Sequence, residues 1–290
     1  MTTVLQLEAG KLVLRIARCG GSVLSFVYDG ETLLQPVQNH SAAGVSACFP
    51  MVPICNRVPG NQLNFAGKVF PVSANTLSDP LHIHGEGWLA DWSVAEQGAH
   101  FVELVLQYDG HRLPHRFEAR QRFTLTDEAL SMTLSVRNMG AETMPFGIGW
   151  HPFFPLTPQT KLTFSAQRMW REGEDHLPDV AEIISPPYDF QTGAYLPNQW
   201  INNAFDSWQG NARIVWAERS LAMDISVSSG MDVLQLYRPV SGDEFFAFEP
   251  MSHLPGKAYS DNAKALTPLA YGDILTGTLM MRPEHLLVAR

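Results

Sequence analysis

Apolar and polar residues alternate along most of the chain, which is the pattern of β-strands that bury one face. The stretch KLVLRIARCGGSVLSFVYDGETLLQP predicts three strands, separated by a Gly-Gly turn and an Asp-Gly turn. QLNFAGKVFPV predicts another hairpin that turns at Ala66-Gly67. The alternation continues in FVELVLQYDG, HRFEARQRFTLTDEALSMTLSVRNMG and MDVLQLYRPV. The pattern therefore predicts many antiparallel strands.

Helical periodicity is weak everywhere in the sequence. Two short helix candidates lie around residues 78–90 and 252–264, and neither has capping residues at both ends. No linker, low-complexity tract or charge run divides the chain. We therefore predict an all-β protein, a large antiparallel β-sandwich of two packed sheets, with residues 1–290 forming a single domain.

Composition narrows the class of function. The 290 residues are 45% hydrophobic and 17% charged, enough to bury a large core without a metal or a disulfide. The net charge of −9 is unlike that of most nucleic-acid-binding proteins, so no nucleic-acid partner is predicted. A neutral or cationic ligand fits this charge better than a polyanion.

Three features bear on the compartment. The N-terminus lacks a basic segment followed by an apolar signal core, and no apolar run approaches the roughly 20 residues that span a bilayer. The three cysteines include no CxxC pair and suggest free thiols in a reducing environment. We expect a cytoplasmic protein with no membrane partner.

Four polar clusters interrupt the apolar pattern and could carry chemistry. They are Asn56-Arg57 in a proline-flanked stretch, His82 and His84 in LHIHGEGW, His151 in GIGWHPFFPL, and Glu249 in FFAFEPMSH. Each has a structural interpretation beside a functional one. Glu249 is either a solvated residue at a strand end or a general base, and His151 is either a hydrogen-bonded core histidine or a proton donor.

The other two clusters likewise have both a structural and a functional interpretation. His82 and His84 are two residues apart, so on a strand they would face the same side and could hold a metal, as at the start of a cupin motif. Glu86 follows too closely for that motif, and Gly85 breaks the strand, so a turn is the alternative. Arg57 is either a functional residue of this polar cluster or a surface arginine paired with an acid.

Taken in order, the four clusters resemble the motifs of the aldose 1-epimerase (galactose mutarotase) family. CNRVPGNQLNFAGKVFPV resembles its Asn-Arg segment, LHIHGEGW its His-Gly loop, GIGWHPFFPL its His-Pro-aromatic-Phe motif, and FAFEPMSHLPGKA its Glu-Pro motif. GGSVLSFVYDGETLLQP and LTPLAYGDILTGTLMM near the two ends also resemble the family. The resemblance covers nearly the whole chain.

The resemblance implies a galactose mutarotase-like supersandwich with an open sugar cleft, and interconversion of α and β anomers. It implies Glu249 as the base, His151 as the acid, and Arg57 and His84 as ligands of sugar oxygens. Asn202, in INNAFDSW, stands where the family has an Asp. The amide can hydrogen-bond a hydroxyl but brings no charge, which leaves the preferred sugar open. Tyr237 matches a position that supplies a sugar-stacking ring.

The implied chemistry suits these residue types. Opening a cyclic hemiacetal removes a proton from the anomeric hydroxyl and adds one to the ring oxygen. A carboxylate with a pKa of about 4.3 and an imidazole with a pKa of about 6.5 can exchange these protons near neutral pH. If the two groups lie close together, we expect the carboxylate to raise the histidine pKa. The reaction needs no metal or other cofactor, and the predicted partner is a small sugar.

Three alternatives remain open. A hexose-6-phosphate 1-epimerase would need a basic pocket, for which Lys68, Lys257, Arg112, Arg116 or Arg171 would have to approach the cleft. A non-catalytic carbohydrate-binding protein would have no use for both the acid and the base. A cupin-like metal oxygenase would use the two histidines of LHIHGEGW. The sequence does not distinguish a monomer from a homodimer.

Overall fold

A computed structural model describes residues 4–35, 45–240, 244–256 and 265–286. This part of the chain consists almost entirely of β-strands joined by turns. Its strands are β1 (Val4–Ala9), β2 (Leu12–Ala17), β3 (Ser22–Tyr28), β4 (Glu31–Thr32), β5 (Cys48–Met51), β6 (Gln62–Phe65), β7 (Lys68–Pro71), β8 (Ser93–Gln97), β9 (Phe101–Tyr108), β10 (Phe117–Leu125), β11 (Leu130–Asn138), β12 (Met144–Phe146), β13 (Gly149–Pro155), β14 (Thr160–Phe164), β15 (Arg168–Glu172), β16 (Pro178–Ile183), β17 (Ala194–Tyr195), β18 (Ile201–Asp206), β19 (Asn211–Trp216), β20 (Leu221–Val227), β21 (Val233–Arg238), β22 (Phe245–Met251), β23 (Thr267–Leu269) and β24 (Ile274–His285). Short 3₁₀ helices are formed by Pro59–Asn61, Gly87–Leu89, Glu174–His176 and Ala217–Arg219.

Two large sheets organise these strands. The 11-stranded sheet has the order β1-β2-β3-β5-β13-β22-β21-β18-β15-β16, with β4 paired to β3. The nine-stranded sheet has the order β17-β14-β19-β20-β24-β11-β10-β9-β8. Two small two-stranded sheets, β12-β23 and the β6-β7 hairpin, complete the fold. The prediction of an all-β antiparallel sandwich is confirmed.

The two large sheets bury a common hydrophobic core. Phe246 and Phe248 of β22 and Phe123 of β10 belong to the same buried cluster, although their strands lie in different sheets. On β22 these phenylalanines alternate with Ala247 and Glu249, because successive side chains of a strand point to opposite faces. The face of the 11-stranded sheet turned away from this core is therefore available for a site.

The predicted N-terminal strands and hairpins are confirmed. The β6-β7 hairpin turns at Ala66-Gly67, where both residues have positive φ angles of 50° and 76°, as two-residue hairpin turns require. The helix candidate at residues 78–90 is wrong, because only Gly87–Leu89 form a single 3₁₀ turn there. Gly85 nearby has a φ of 66°, outside the helical region.

The other helix candidate, residues 252–264, lies largely outside the described residues. The single-domain prediction for residues 1–290 stays a prediction. In the ranges that the structure describes, no helix is both long and apolar enough to cross a membrane.

Candidate active site

A cavity lies on the exposed face of the 11-stranded sheet. The volume of this cavity is about 210 Å³. Neighbouring strands β13, β22, β21 and β18 supply its floor, and the loops around residues 56 and 84 supply one wall. The lining residues are Asn56, Arg57, Ile83, His84, His151, His176, Trp200, Asn202, Tyr237 and Glu249. All five site residues implied by the resemblance therefore line one cavity.

His151 and Glu249 meet at the floor of this cavity. They lie on the adjacent strands β13 and β22, whose register places Gly149 opposite Met251 and Phe153 opposite Ala247. His151 Nε2 is 3.2 Å from Glu249 Oε1. The two side chains are largely buried, with 8% of His151 and 2% of Glu249 exposed. An imidazole and a carboxylate in this geometry can share or exchange a proton.

The apolar run around His151 follows from strand alternation. Trp150 and Phe154 are fully buried in the core between the sheets, whereas His151 lines the cavity and Phe153 lies on the same face of the strand as His151. The imidazole packs against the rings of Phe49 and Phe153, with ring centroids 4.7 Å and 4.4 Å away. These rings restrict rotation of the imidazole, so its Nε2 stays directed at Glu249.

Glu249 lies inside β22 and not at a strand end as the sequence suggested. Its Oε2 atom is buried and has no hydrogen-bond partner among the described residues. Gln235 lies opposite Glu249 on β21, and its buried Oε1 also lacks a partner in that part of the chain. Buried polar atoms are nearly always hydrogen-bonded, and of these two residues Glu249 lines the cavity, where its carboxylate can accept a hydrogen bond from a ligand.

Burial dominates the electrostatics of the pair. Desolvation lowers the pKa of His151 to about 3, so the expected rise in the histidine pKa beside a carboxylate is wrong. Desolvation also raises the pKa of Glu249 well above its usual value, and the Arg57 guanidinium offsets part of that rise. Removal from water penalises the charged form of each group, so burial favours a pair that carries one proton and no net charge.

His84 is held as a neutral hydrogen-bond donor. Its Nδ1 accepts a hydrogen bond from the backbone amide of Asn56 at 3.2 Å, so the remaining ring proton is on Nε2. Burial lowers the pKa of His84 well below its usual value, and the nearby His151 and Arg57 add to this effect. The protonated Nε2 is thereby available to a ligand oxygen.

Arg57 supplies a positive charge to the same wall of the cavity. Its Nε donates to Asp79 at 2.7 Å, and both side chains are mostly buried. The backbone of Arg57 pairs with Ile83 in an isolated antiparallel bridge, which ties the Asn-Arg segment to the His84 loop. The ion pair fixes the guanidinium, so an ordered cation faces the ligand space.

His82 and His84 do not converge. His82 is fully buried and contacts the carbonyl of Ser73 through Nδ1 at 2.7 Å, while its Nε2 lies 3.7 Å from Glu86 Oε1. His84 instead lines the cavity. The two residues lie in a loop and not on a strand, so the same-face geometry that a His-x-His metal site needs is not formed.

Asn202 reaches the cavity and belongs to a second wall. Its side chain accepts a hydrogen bond from Gln235 Nε2 at 2.6 Å. Trp200 and Tyr237 stand beside it in an edge-to-face contact with centroids 5.2 Å apart. His176, whose ring centroid is 5.9 Å from that of Trp200, completes the wall. Aromatic rings and amide groups together suit a ligand that has both apolar faces and hydroxyl groups.

Sequence reasoning missed Gln235, Trp200 and His176. The sequence could have indicated two of them. Gln235 is two residues before Tyr237 on β21, so the two side chains share a face, and Trp200 is two residues before Asn202. His176 lies in an acidic stretch, REGEDH, that looks like ordinary solvated surface. Nothing in the local pattern shows that this stretch folds over the cavity.

The arrangement can be compared with known proteins. The model of the aldose 1-epimerase family matches residues 3–280. The uncharacterised protein YphB of Escherichia coli K12 is 35% identical over 98% of this chain and 100% of its own length.

Solved structures agree with this relationship. The crystal structure of a candidate aldose 1-epimerase from Escherichia coli K12 superposes with a TM-score of 0.94 at 34% identity, covering 99% of this chain and 100% of that one. A galactose mutarotase-like protein from Clostridium acetobutylicum shares the fold, with a TM-score of 0.85 at 17% identity over 98% and 96% of the two chains. Because the family model matches nearly the whole chain and a 35% identical relative aligns with 98% of it, this chain belongs to the aldose 1-epimerase family.

Proposed function

We propose that this protein interconverts the α and β anomers of a free hexose by acid–base ring opening and closure. In this proposal Glu249 is the base and His151 is the acid. The observation that carries it is the 3.2 Å contact between His151 Nε2 and Glu249 Oε1 at the floor of the cavity. Family membership supports the same class of reaction.

In the first step the charged form of the pair acts on the bound pyranose. The Glu249 carboxylate takes the proton of the anomeric hydroxyl, and the electron pair of that O–H bond forms the C1 carbonyl. The bond from C1 to the ring oxygen breaks, and its electron pair takes the proton from His151 Nε2. The products are the open-chain aldehyde, a protonated Glu249 and a neutral His151, so the number of protons is unchanged.

Rotation about the C1–C2 bond then presents the other face of the aldehyde. Closure reverses the proton transfers, and Glu249 and His151 return to their starting forms. Burial assists both proton transfers of ring opening, because a desolvated carboxylate is a stronger base and a desolvated imidazolium a stronger acid than in water. The ring-opened state leaves the pair in the uncharged form that the buried site favours.

The two walls of the cavity provide the groups that would hold the sugar. Arg57 and the Nε2–H of His84 can donate to sugar oxygens on one side. Asn202 and the aromatic rings of Trp200 and Tyr237 face the other side. These contacts supply the orientation that makes the anomeric hydroxyl and the ring oxygen accessible to the acid–base pair.

A neutral hexose fits this cavity better than a hexose phosphate. Arg112, Arg116 and Arg171, the arginines that could have formed a phosphate site, do not line the cavity. They pair with Glu86, Asp109 and Glu182 respectively. Lys68 pairs with Glu142 outside the cavity, and Lys257 lies outside the described residues. Among the described lining residues, Arg57 is the permanently charged cation.

Polarimetry on freshly dissolved α-D-galactose and α-D-glucose tests the proposal. We expect the wild-type protein to accelerate the decay to equilibrium rotation, and Glu249→Gln and His151→Asn each to lose about 100-fold or more in rate. Glu182→Gln, a carboxylate on the edge strand β16, is the matched control and should retain the wild-type rate.

Three results would change the assignment. Wild-type rates in a folded Glu249→Gln or His151→Asn protein would contradict the acid–base roles. Acceleration with glucose 6-phosphate alone would replace the free hexose with a hexose phosphate. Calorimetric binding of a sugar without any acceleration would make the protein a carbohydrate-binding protein.

A further inference from the structure

One carboxylate outside the cavity forms hydrogen bonds with three residues of its second wall. Glu172, the last residue of β15, accepts a hydrogen bond from Asn202 Nδ2 on Oε1 at 2.7 Å and from Trp200 Nε1 on Oε2 at 2.6 Å. Nδ1 of His176 lies 2.5 Å from the same Oε1. These three partners line the cavity, whereas Glu172 is not among its lining residues. A single side chain thus anchors most of one wall.

We propose that Glu172 is a positioning residue that determines which sugar the site accepts. The proposal deepens the proposed function and rests on it. Glu172 acts through Asn202, Trp200 and His176, which meet the part of the sugar remote from the anomeric carbon. His151 and Glu249 occupy the cavity floor on other strands, so Glu172 sets affinity and selectivity and leaves the proton transfers to them.

The chemistry of the carboxylate supports this role. An ionised carboxylate offers about four acceptor sites on two oxygens, and here three N–H groups converge on it. Hydrogen bonds to a charged acceptor are roughly twice as strong as neutral ones. Trp200 is 37% exposed, so without this anchor its ring would be free to take other rotamers.

The hydrogen bonds of Asn202 define what it can offer a sugar. One of its two amide protons goes to Glu172, and one lone pair of Oδ1 accepts from Gln235. One N–H and one lone pair remain for a ligand. Donation to a carboxylate polarises the amide and makes Oδ1 a stronger acceptor. The Asn202–Glu172 pair therefore supplies the negative charge that an aspartate at position 202 would have carried, one strand further from the cavity.

Kinetics on α-D-galactose and α-D-glucose test the positioning role. We expect Glu172→Ala to raise KM about tenfold for the better of the two sugars while kcat stays within about threefold of wild type. Glu172→Gln keeps the shape but loses the charge and one acceptor, so its KM should lie between those of wild type and Glu172→Ala. Glu182→Ala, on the neighbouring strand β16, is the matched control and should leave both constants unchanged.

A charge exchange separates positioning from general stability. Asn202→Asp places two carboxylates within hydrogen-bond distance and should raise KM, because like charges repel. Combining Asn202→Asp with Glu172→Gln restores one acid and one amide in exchanged positions. We expect the double variant to recover at least half of the loss in KM, on a logarithmic scale, caused by Asn202→Asp alone. A purely structural role of Glu172 would instead make the two losses add.

Binding measured without turnover distinguishes this proposal from the proposed function. Calorimetric titration of both sugars into Glu249→Gln, with and without Glu172→Ala, gives affinities that do not depend on the acid–base step. A weaker affinity in the double variant supports the role of Glu172. Equal affinities, or a Glu172→Ala enzyme with wild-type KM for both sugars, would overturn it while leaving the mutarotase activity intact. If the wild-type protein neither binds nor converts either sugar, both proposals fail.

Discussion

His84 and Asn56 hold each other through two hydrogen bonds of opposite direction. The backbone amide of His84 donates to the carbonyl of Asn56 at 3.0 Å, and the backbone amide of Asn56 donates to His84 Nδ1 at 3.2 Å. Both residues have positive φ angles of 58°, an unusual conformation for residues other than glycine. The pairing stabilises this backbone and at the same time fixes the imidazole tautomer.

Two substitutions of His84 separate these effects. In His84→Asn the side-chain oxygen can take the place of Nδ1 as acceptor, and asparagine tolerates positive φ, so we expect near-native stability. The variant lacks the Nε2–H donor and should lose about tenfold in kcat/KM, the value of one ligand hydrogen bond. Polarimetry and thermal unfolding provide the two measurements.

His84→Gln is the matched comparison. Its longer side chain can place an amide donor near the position of Nε2. With the amide there, no acceptor occupies the position of Nδ1, so the backbone amide of Asn56 loses its partner. It should retain more activity than His84→Asn and unfold at a lower temperature. The reverse order of activities would show that the Nε2–H of His84 does not contact the substrate.

Gly85 is required for backbone contact with the loop of residue 52. A Cβ atom at this position would lie 2.3 Å from the carbonyl oxygen of Val52, and the φ of Gly85 is 66°. Gly85→Ala should therefore destabilise the protein by more than the roughly 1–2 kcal/mol that a positive φ costs alone. Gly67→Ala is the control, because Gly67 has a φ of 76° with open space around its Cβ position. Equal losses in denaturant unfolding would contradict the steric explanation.

The acid side of the activity profile should reflect the buried histidine. The active pair carries one proton, and His151 gains a second only near its pKa of about 3. We expect kcat/KM, corrected for the uncatalysed rate, not to fall between about pH 5.5 and pH 4 while the protein remains folded. On the alkaline side activity is lost as the pH rises through the elevated pKa of Glu249. Half-loss near pH 4.3 in a folded protein, the value for an ordinary carboxylate, would contradict the assignment.

Stability should decrease as the pH falls below 6.5. Burial lowers the pKa of His115 and His253 to about 4 and that of His151 to about 3, so the unfolded chain binds protons that the folded chain does not. The stabilising contribution of each such histidine is fully present above the pKa of the unfolded chain. Below that pKa the free energy of unfolding falls by about 1.4 kcal/mol for each pH unit and each such histidine. The raised pKa values of Glu249 and Glu86 act in the opposite direction above their unfolded values. The buried histidines outnumber them, because burial also lowers the pKa of His82 and His84.

Urea unfolding of His115→Gln measures this effect. Glutamine can still donate to the carbonyl of Pro145, which His115 Nε2 contacts at 2.8 Å, but it does not titrate. The slope of unfolding free energy against pH, between about pH 6 and pH 5, should decrease by close to one proton equivalent relative to wild type. An unchanged slope would mean that His115 is protonated in the folded protein.

The strands and several turns could be predicted from local sequence. Alternation in KLVLRIARCGGSVLSFVYDGETLLQP predicted β2, β3 and β4, and Ala66-Gly67 predicted the β6-β7 turn, because side-chain period and turn chemistry are properties of a few neighbouring residues. The helix at 78–90 was a wrong prediction, because side-chain hydrogen bonds hold that segment in a loop. Asn75, for example, bonds the backbone of Ile83 and Gly85.

The candidate site could also be predicted from the sequence only in part. Motif order in the sequence indicated Arg57, His84, His151, Asn202 and Glu249, and all five line the cavity. Their distances depend on register between β13, β22, β21 and β18, which sheet pairing brings together although β13 and β18 lie far from β21 and β22 in the chain. A residue such as Glu172 acquires a role only through that pairing, so no local pattern identifies it.

The sequence by itself determined an all-β chain with an ordered set of polar motifs, since both are written in local periodicity and residue type. Only the tertiary structure decided that His151 and Glu249 lie 3.2 Å apart, and that burial moves their pKa values in opposite directions. The physical reason is that desolvation and hydrogen bonding depend on every element packed around a group, whereas strand propensity depends mainly on the residues beside it.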